Sequence, residues 1–152
     1  MRWQPFVTVA AVIEKDNKFL LVEENINGTV FYNQPAGHWE FGESLEEAVI
    51  REVLEETAWH FTPSELVKIY QWSPTTKPDV KTTYLRFTFC GDASYFEKNQ
   101  PLDEKIIQTH WLNYDEIYAL KNQHRSPQVM RCIDDYLLGQ RYSLGAIAIV
   151  EP

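Results

Sequence analysis

A charged stretch at residues 43–56 constrains the fold most, because its spacing predicts an amphipathic helix with a crowded acidic face. Ser44 followed three residues later by Glu47 is a capping box, in which each side chain accepts a hydrogen bond from the other residue's backbone amide. This box predicts a helix that begins near Leu45. The apolar residues recur at helical spacing and form one stripe: Leu45, Ala48, Val49, Val53 and Leu54. The stripe should pack on a core.

The opposite face of this helix carries Glu52, Glu55 and Glu56, which lie three and four residues apart and therefore share one patch of space. Each exposed like-charge pair costs roughly 0.2–0.5 kcal/mol. Arg51 is the only basic residue between Glu43 and Glu56 and cannot neutralise the set. A solvated acidic face is one interpretation of these three glutamates. A site for Mg²⁺ or Mn²⁺ is the other, since both cations bind hard carboxylate oxygens and take further ligands from water and substrate phosphates.

Three residues that the capping box leaves unexplained favour the metal site. Gly37 precedes the helix and allows a close approach of the backbone. Glu43 and Arg51 are eight residues apart and can form a charge-assisted pair that ties the incoming loop to the helix. Together they predict a loop, helix and loop arranged around a cation.

The segment at residues 37–59, GHWEFGESLEEAVIREVLEETAW, resembles the Nudix box, the signature of a family of phosphoanhydride hydrolases. All charged positions of the box match. The departures are Ala58 where the family has Gly, and Trp59 where it usually has an aliphatic residue. Ala58 bears on the end of the helix, where Gly adopts the left-handed conformation more cheaply by about 1 kcal/mol.

The resemblance implies a role for each matching position. Glu52 and Glu56 would bind Mg²⁺ directly, with Glu55 as a further ligand. The backbone carbonyl of Ala36 would contribute a fourth ligand from the loop. Glu52 is the first choice for the general base, although family members differ in which glutamate serves.

The resemblance also implies that Glu43 and Arg51 support the catalytic site. Mn²⁺ is a possible substitute for Mg²⁺. Further stretches resemble a bacterial phosphatase subgroup of the family over nearly the whole chain: VTVAAVI, FLLVEE, NQPAGH, YLRFTF and SPQVMRCIDDYLLGQRY. This subgroup releases orthophosphate from nucleoside di- and triphosphates and from thiamine-related pyrophosphates. The resemblance therefore implies the same activity for this chain.

Four residues outside the box are candidates for the rest of the site. Arg86 lies in a predicted strand and can clamp a phosphate with its planar fork, although a strand Arg often pairs with a surface carboxylate instead. Gln34, in the loop before the box, is a second candidate for substrate binding. Asp103 and Glu104 precede a predicted strand and are candidates for an additional acid. A solvated turn explains these two acids equally well.

The order of predicted elements indicates an α/β fold, a Nudix-type α/β/α sandwich with a mixed β-sheet. Apolar or β-branched runs predict strands at residues 6–13, 18–24, 30–32, 66–72, 83–90 and 106–112. Residues 33–37 should break regular structure, and residues 73–81 should form a surface loop. Two further helices should open at Asn113 and at Ser126, the second ending before Gly139. Residues 140–152 carry mixed signals and receive no assignment.

The length of 152 residues suits one domain, so residues 1–152 are expected to form a single Nudix unit. A net charge of −8 without a basic run argues against a nucleic-acid polymer as partner. The Nudix resemblance implies a small phosphoanhydride as partner, which an acidic protein can bind if a metal cation supplies the positive charge. The apolar run at residues 6–13 spans less than half a membrane, so no membrane partner is expected. Cys90 and Cys132 lack any paired spacing and predict reduced buried thiols in a cytoplasmic protein. Monomer and homodimer both stay open.

Two alternatives to the phosphatase remain open at this point. One is a Nudix pyrophosphohydrolase acting on ADP-ribose, NADH or dinucleoside polyphosphates. The other is a Nudix-fold module that binds a nucleotide without cleaving it, which has no physical need for Glu52, Glu55 and Glu56 together.

Overall fold

Twelve strands and helices make up the fold in the computed structural model, which describes residues 2–75 and 77–152. In chain order they are β1 (Phe6–Val12), β2 (Glu14–Lys15), β3 (Lys18–Ile26), β4 (Thr29–Asn33), β5 (Ala36–His38), α1 (Leu45–Thr57), β6 (Trp59–Trp72), β7 (Tyr84–Phe96), β8 (Ile106–Leu112), α2 (Tyr114–Ala119), α3 (Gln128–Leu137) and β9 (Tyr142–Ser143). Thr76, within the loop predicted at residues 73–81, lies outside the described residues.

The strands form two sheets. The larger has the order β5-β1-β7-β6-β9, and the smaller places β3 between β4 and β8, with β2 beside it. β1 and β7 pair in parallel, whereas the other pairs in the larger sheet are antiparallel. The predicted mixed sheet is therefore confirmed, although the sequence does not separate the strands into two sheets.

Two hydrophobic clusters lie on opposite sides of the strands. The first joins α1 to the larger sheet through Val9, Val49 and Phe89. The second joins α2 and α3 to the other face and includes Val12 and Ile133. Strand side chains alternate between faces, which is why Val9 and Val12 of one strand reach different clusters. Helices on both sides confirm the α/β/α sandwich.

The sequence predicts that residues 33–37 break regular structure, and this prediction is wrong for the end of the segment. Ala36–His38 forms β5 and pairs with β1, Gly37 opposite Val9. A three-residue strand is too short to show a period of two, and its partner lies far away in sequence, so no local pattern reveals it. The unassigned residues 140–152 include β9, which pairs with Glu65 and Leu66 of β6.

The end of α1 is left-handed, although residue 58 is Ala where the Nudix box has Gly. Ala58 has φ 64° and ψ 10°, in the left-handed region, and its backbone N–H donates to the carbonyl of Leu54. The helix thus ends where a Gly would end it, at some conformational cost.

Cys90 and Cys132 are both free and buried, as predicted. Within residues 2–75 and 77–152, no helix has the length and apolar character needed to cross a membrane.

Candidate active site

The capping box at the start of α1 fixes where the acidic face begins. The Glu47 amide donates to Oγ of Ser44 over 3.0 Å, and the Ser44 amide donates to Oε2 of Glu47 over 3.1 Å. Glu47 is therefore committed to the cap, as the sequence predicts. The remaining glutamates of the box are free for other contacts.

Arg51 ties the loop before the helix to the acidic face. Its Nε and NH2 donate to the two carboxylate oxygens of Glu43 at 2.9 and 2.7 Å, the predicted pair, and NH2 also donates to the His38 carbonyl at 3.0 Å. Its NH1 donates to Glu52 at 2.8 Å and to Glu55 at 3.2 Å. All the N–H donors of the guanidinium are thus used. The Arg51 hydrogen bonds hold the pKa of Glu43 below its ordinary value.

Gly37 lies directly against the carboxylate of Glu52. A Cβ at this position would be 2.1 Å from the Cδ and Oε1 atoms of Glu52 and 2.4 Å from its Oε2, far inside contact distance. The β5 backbone can pass this carboxylate only because Gly37 has no side chain. Glu52 is 7% exposed, and burial raises its pKa although the Arg51 hydrogen bond opposes the shift.

Glu56 is the most deeply buried acid of the helix, with 0% exposure. Its Oε1 accepts a 2.9 Å hydrogen bond from the backbone amide of Ala36, whereas the sequence analysis expects the Ala36 carbonyl to take part in the site. Its Oε2 accepts no hydrogen bond from the described residues. Lys105 Nζ lies 3.0 Å from this oxygen and forms an ion pair without hydrogen-bond geometry. Burial raises the pKa of Glu56 to about 8, and the Lys105 charge opposes the rise.

A further acid, Glu24, faces the same region and escaped the sequence analysis. It is 2% exposed on β3, and burial raises its pKa despite the positive charges of Lys105, Arg125 and Arg86. Its negative charge in turn raises the pKa of Glu56, so the two carboxylates lie in one electrostatic environment. The strand period gives no signal for it, because Leu21 is buried as fully as Leu20 and Val22, so both faces of β3 are covered there.

Glu55 is more exposed than Glu52 and Glu56: its side chain is 43% exposed and faces Arg51. Among the described residues, no three His, Cys, Asp or Glu side chains gather around one coordination point. Glu52 and Glu55 face the guanidinium, whereas Glu56 faces Ala36 and Lys105. The feature that points to a cation is therefore Oε2 of Glu56, a buried carboxylate oxygen that accepts no hydrogen bond from the described residues and has only the Lys105 ammonium beside it.

Arg86 lies beside this acidic region and is 3% exposed. Its Nη2 donates to Oδ1 of Asn33 at 3.2 Å and to Oε1 of Gln34 at 3.0 Å, and its Nε has no hydrogen-bond partner in the described part of the chain. Within residues 2–75 and 77–152 it forms no ion pair within 4.0 Å, which removes the alternative of a surface salt bridge. Neutral amides hold this guanidinium while leaving its charge uncompensated.

Gln34 takes a different position from the one predicted. Its side chain is fully buried, accepts from Arg86 and donates from Nε2 to the Val129 carbonyl at 2.7 Å. With both ends of the amide engaged, Gln34 orients Arg86 and does not face the cavity. Asn33, which the sequence analysis did not single out, lines the cavity in its place.

Asp103 and Glu104 are both exposed and neither lines the cavity. The Asp103 carboxylate accepts from the Lys105 amide at 3.3 Å, and the Asp103 amide donates to the Glu55 carbonyl at 2.8 Å. Asp103 therefore shapes a turn that is fastened to the end of α1. The acid that the cavity contains is Glu24.

A cavity of about 960 Å³, wider than a diphosphate requires, lies beside the acidic region, and none of the three α1 glutamates of the expected metal site is among the described residues that line it. Its wall meets the acidic region at Lys105, the ion-pair partner of the deepest glutamate. Trp72 and Tyr84 stack with ring centroids 5.7 Å apart and line one side. Lys121 and Arg125 line another part of the wall. The cavity thus combines basic groups suited to phosphate with aromatic surface suited to an organic group.

Comparison with known proteins gives a consistent match. The NUDIX domain model matches residues 4–132. The chain is 43% identical over 145 residues to Phosphatase NudJ of Escherichia coli strain K12, covering 95% of this chain and 92% of that protein. A NUDIX hydrolase structure from Nitrosomonas europaea superposes with a TM-score of 0.92 and 49% identity, covering 97% of this chain and 98% of that chain.

A more distant structure shares the fold alone. It is a bifunctional NMN adenylyltransferase/ADP ribose pyrophosphatase from Francisella tularensis, with a TM-score of 0.65 and 21% identity, covering 90% of this chain and 42% of that one. The family model covers most of the chain, and the close relatives match it nearly end to end. This chain therefore belongs to the Nudix hydrolase family.

Proposed function

We propose that this Nudix hydrolase is a Mg²⁺-dependent phosphatase that releases orthophosphate from nucleoside di- and triphosphates and from thiamine-related pyrophosphates. The observation that carries the proposal is the buried Oε2 of Glu56, which accepts no hydrogen bond from the described residues and lies 3.0 Å from Nζ of Lys105, a residue of the cavity wall. The name of the Escherichia coli relative, a phosphatase, supports the reaction type.

The residues present fit a divalent cation. Glu52 and Glu56 offer hard oxygen ligands, both are buried, and Gly37 leaves room for the Glu52 carboxylate. Glu55 would add a further ligand after turning from Arg51, and the Ala36 carbonyl would complete the set from the loop. Mn²⁺ has the same preference for oxygen and should substitute for Mg²⁺.

When bound, such a cation neutralises phosphate oxygens and lowers the pKa of a coordinated water. The reaction joins a water oxygen to the terminal phosphorus and breaks the bond from that phosphorus to the bridging oxygen. One water proton goes to the base. The terminal phosphoryl group becomes orthophosphate, and the rest of the substrate leaves with the bridging oxygen. Positioning and charge stabilisation supply most of the catalysis in such phosphoryl transfers.

Glu52 is the proposed general base, because burial raises its pKa toward the range in which a carboxylate accepts a proton. Arg51 fixes this carboxylate through its 2.8 Å hydrogen bond and is itself fixed by Glu43. Arg86 would bind substrate phosphate through the donors that Asn33 and Gln34 leave unused. These residues form the proposed catalytic, metal-binding and substrate-binding set.

Other aspects of the proposal rest on general chemistry. The partner is a small phosphoanhydride, since the aromatic and basic walls of the cavity suit an organic diphosphate. The free, buried Cys90 and Cys132 accord with a reducing compartment, and we propose a cytoplasmic location. A single unit over residues 1–152, as monomer or homodimer, completes the proposal.

The proposed activity is tested by incubating the protein with Mg²⁺ and a panel of nucleoside di- and triphosphates, thiamine pyrophosphate and ADP-ribose, and then identifying the products. Orthophosphate as the product from the first three classes is the expected result. AMP and ribose phosphate from ADP-ribose, without orthophosphate release from the others, would replace the phosphatase with a pyrophosphohydrolase. Nucleotide binding without turnover of any substrate would indicate a binding module. Full activity in excess chelator would contradict the dependence on Mg²⁺.

A further inference from the structure

Lys105 supplies a positive charge at the deepest carboxylate of the site, in a position that no sequence pattern marked. Its Nζ lies 3.0 Å from Oε2 of Glu56, the same oxygen that has no hydrogen-bond donor. Glu56 has no exposed surface, so its charge depends on this ammonium group. Lys105 therefore stands where a cation is needed.

The backbone of Lys105 is fixed, while its side chain has room to move. The Asn25 amide of β3 donates to the Lys105 carbonyl at 2.9 Å, and the preceding turn is fastened to α1 through Asp103 and the Glu55 carbonyl at 2.8 Å. The Lys105 side chain is 35% exposed and lines the cavity. A flexible four-carbon stem on a fixed backbone can carry the ammonium between two positions.

Glu24 provides the second position. It lies in the same cavity wall, is almost fully buried, and has its nearest ion-pair contact at 3.9 Å, to Nε of Arg125. It therefore lacks a close counter-ion, in contrast to Glu43. A buried carboxylate in this condition gains from any ammonium that approaches it.

We infer that Lys105 is a stand-in cation, which lies against Glu56 in the metal-free protein and moves to Glu24 when a divalent cation binds. The inference rests on the proposed metal dependence and assigns Lys105 and Glu24 a part in it. Lys105 is a positioning residue, because it acts through the two carboxylates. It keeps the metal-free site folded, and it competes with the metal for Glu56.

The test measures Mg²⁺ and Mn²⁺ binding by isothermal titration calorimetry without substrate, and thermal unfolding in chelator and in saturating Mg²⁺. Lys105→Met keeps the length of the side chain and removes the charge. It should bind the metal severalfold more tightly than wild type. It should also unfold at a lower temperature in chelator, and the gap to wild type should shrink in saturating Mg²⁺, because the metal then replaces the ammonium.

Two variants serve as controls for this test. Lys121→Met removes another lysine of the cavity wall, whose nearest recorded contact is the hydroxyl of Tyr118 at 3.1 Å, and should match wild type in both measurements. Lys105→Arg keeps a cation and should stay near wild type in metal affinity. Unchanged or weaker metal binding by Lys105→Met would overturn the inference, as would a stability gap that persists in full in saturating Mg²⁺.

The displacement toward Glu24 has its own test. Glu24→Gln should weaken metal binding in the wild-type background, because Lys105 loses its second position. The same change should have a smaller effect in the Lys105→Met background, whereas equal fold-changes in both backgrounds would overturn the assignment of Glu24. Wild-type protein that binds neither Mg²⁺ nor Mn²⁺ would instead refute the proposed function, so the two failures are distinguishable.

Discussion

The two ends of the acidic site differ in how their charges are satisfied. On the loop side, Arg51 and Glu43 share two short hydrogen bonds, and the remaining donors of Arg51 reach Glu52, Glu55 and a carbonyl. In the interior, Glu56 presents an oxygen with no donor, and a lysine lies beside it at 3.0 Å. The first region is complete without any ligand, and the second is complete only with a cation. One helix thus uses its acids both to brace a loop and to attract a ligand.

The largest effect should come from removing the interior charge. Glu56→Gln keeps the volume and the hydrogen bond to Ala36 but removes the negative charge on the unpaired oxygen. We expect turnover to fall by orders of magnitude with little change in fold, measured as orthophosphate release beside circular dichroism. Glu47→Gln, at the cap, is the matched control and should keep near-wild-type activity. Wild-type turnover in Glu56→Gln would refute the interior as the site of chemistry.

Gly37→Ala should disturb the boundary between the two regions. The added Cβ would lie 2.1 Å from the Glu52 carboxylate, so this carboxylate must move by an ångström or more. A displacement of about 1 Å in a catalytic group costs roughly 100-fold in rate. Gly139→Ala is the control: Gly139 has φ +81° with open space around it, so strain is added without an effect on the site. Equal kcat/KM losses in both variants would show that the loss in Gly37→Ala comes from general backbone strain and not from the contact with Glu52.

Arg51→Lys should weaken the braced region while keeping its charge. Lys has three donors and no planar fork, so the bidentate contact with Glu43 is lost. We expect activity to fall about 10- to 100-fold, the usual effect of removing a partner that orients a metal ligand. Arg131→Lys is the control, because the exposed Arg131 donates to the buried Asp135 within α3, outside the acidic site. An equal loss in both variants would show that the pair with Glu43 matters no more to activity than an arginine–carboxylate pair outside the site.

A smaller effect should appear in the pH dependence of metal-free stability. Folded Glu56 has its pKa raised to about 8 by burial, from 4.5, so the folded state keeps a proton that the unfolded state has lost. The free energy of unfolding should therefore fall as pH rises from about 4.5 toward 8. Glu56→Gln lacks this proton and should lose less stability over the same range, measured by urea unfolding in chelator. Parallel pH profiles for the two proteins would show that Glu56 does not retain a proton in the folded state over this range.

The smallest effect concerns the end of α1, outside both regions. Ala58→Gly should stabilise the protein by up to about 1 kcal/mol, because Ala58 adopts φ 64° and Gly adopts this conformation at lower cost. Urea unfolding measures the gain, and activity should not change. A loss of stability would show that the buried Cβ of Ala58 contributes more than the strain costs.

The braced region was predictable from sequence, whereas the interior was predictable only in part. The capping box and the spacing of Glu43 from Arg51 are local rules of helix geometry, and both contacts form as predicted. Glu56 was also found, because helical spacing places it beside Glu52. The fold class followed from the order of strands and helices together with the Nudix resemblance.

The missing parts of the interior come from distant segments. Glu24 lies on β3, Lys105 on the turn before β8, and Asn33 at the end of β4, so only long-range packing brings them to one cavity. Lys105 follows the two acids that the sequence favoured, Asp103 and Glu104, and the turn directs the lysine inward while both acids stay exposed. A single charged residue in a turn has no spacing that could indicate this. The strand phase does not indicate Glu24 either, because β3 is buried on both faces just before it.

The most direct test of the account is a crystal structure of the protein with Mn²⁺, using the anomalous signal of the metal. The account predicts a Mn²⁺ peak bound directly by carboxylate oxygens of Glu52 and Glu56, and no peak there in Glu56→Gln. A cation bound elsewhere, for example at the exposed Glu47, with Oε2 of Glu56 still facing Lys105, would contradict it.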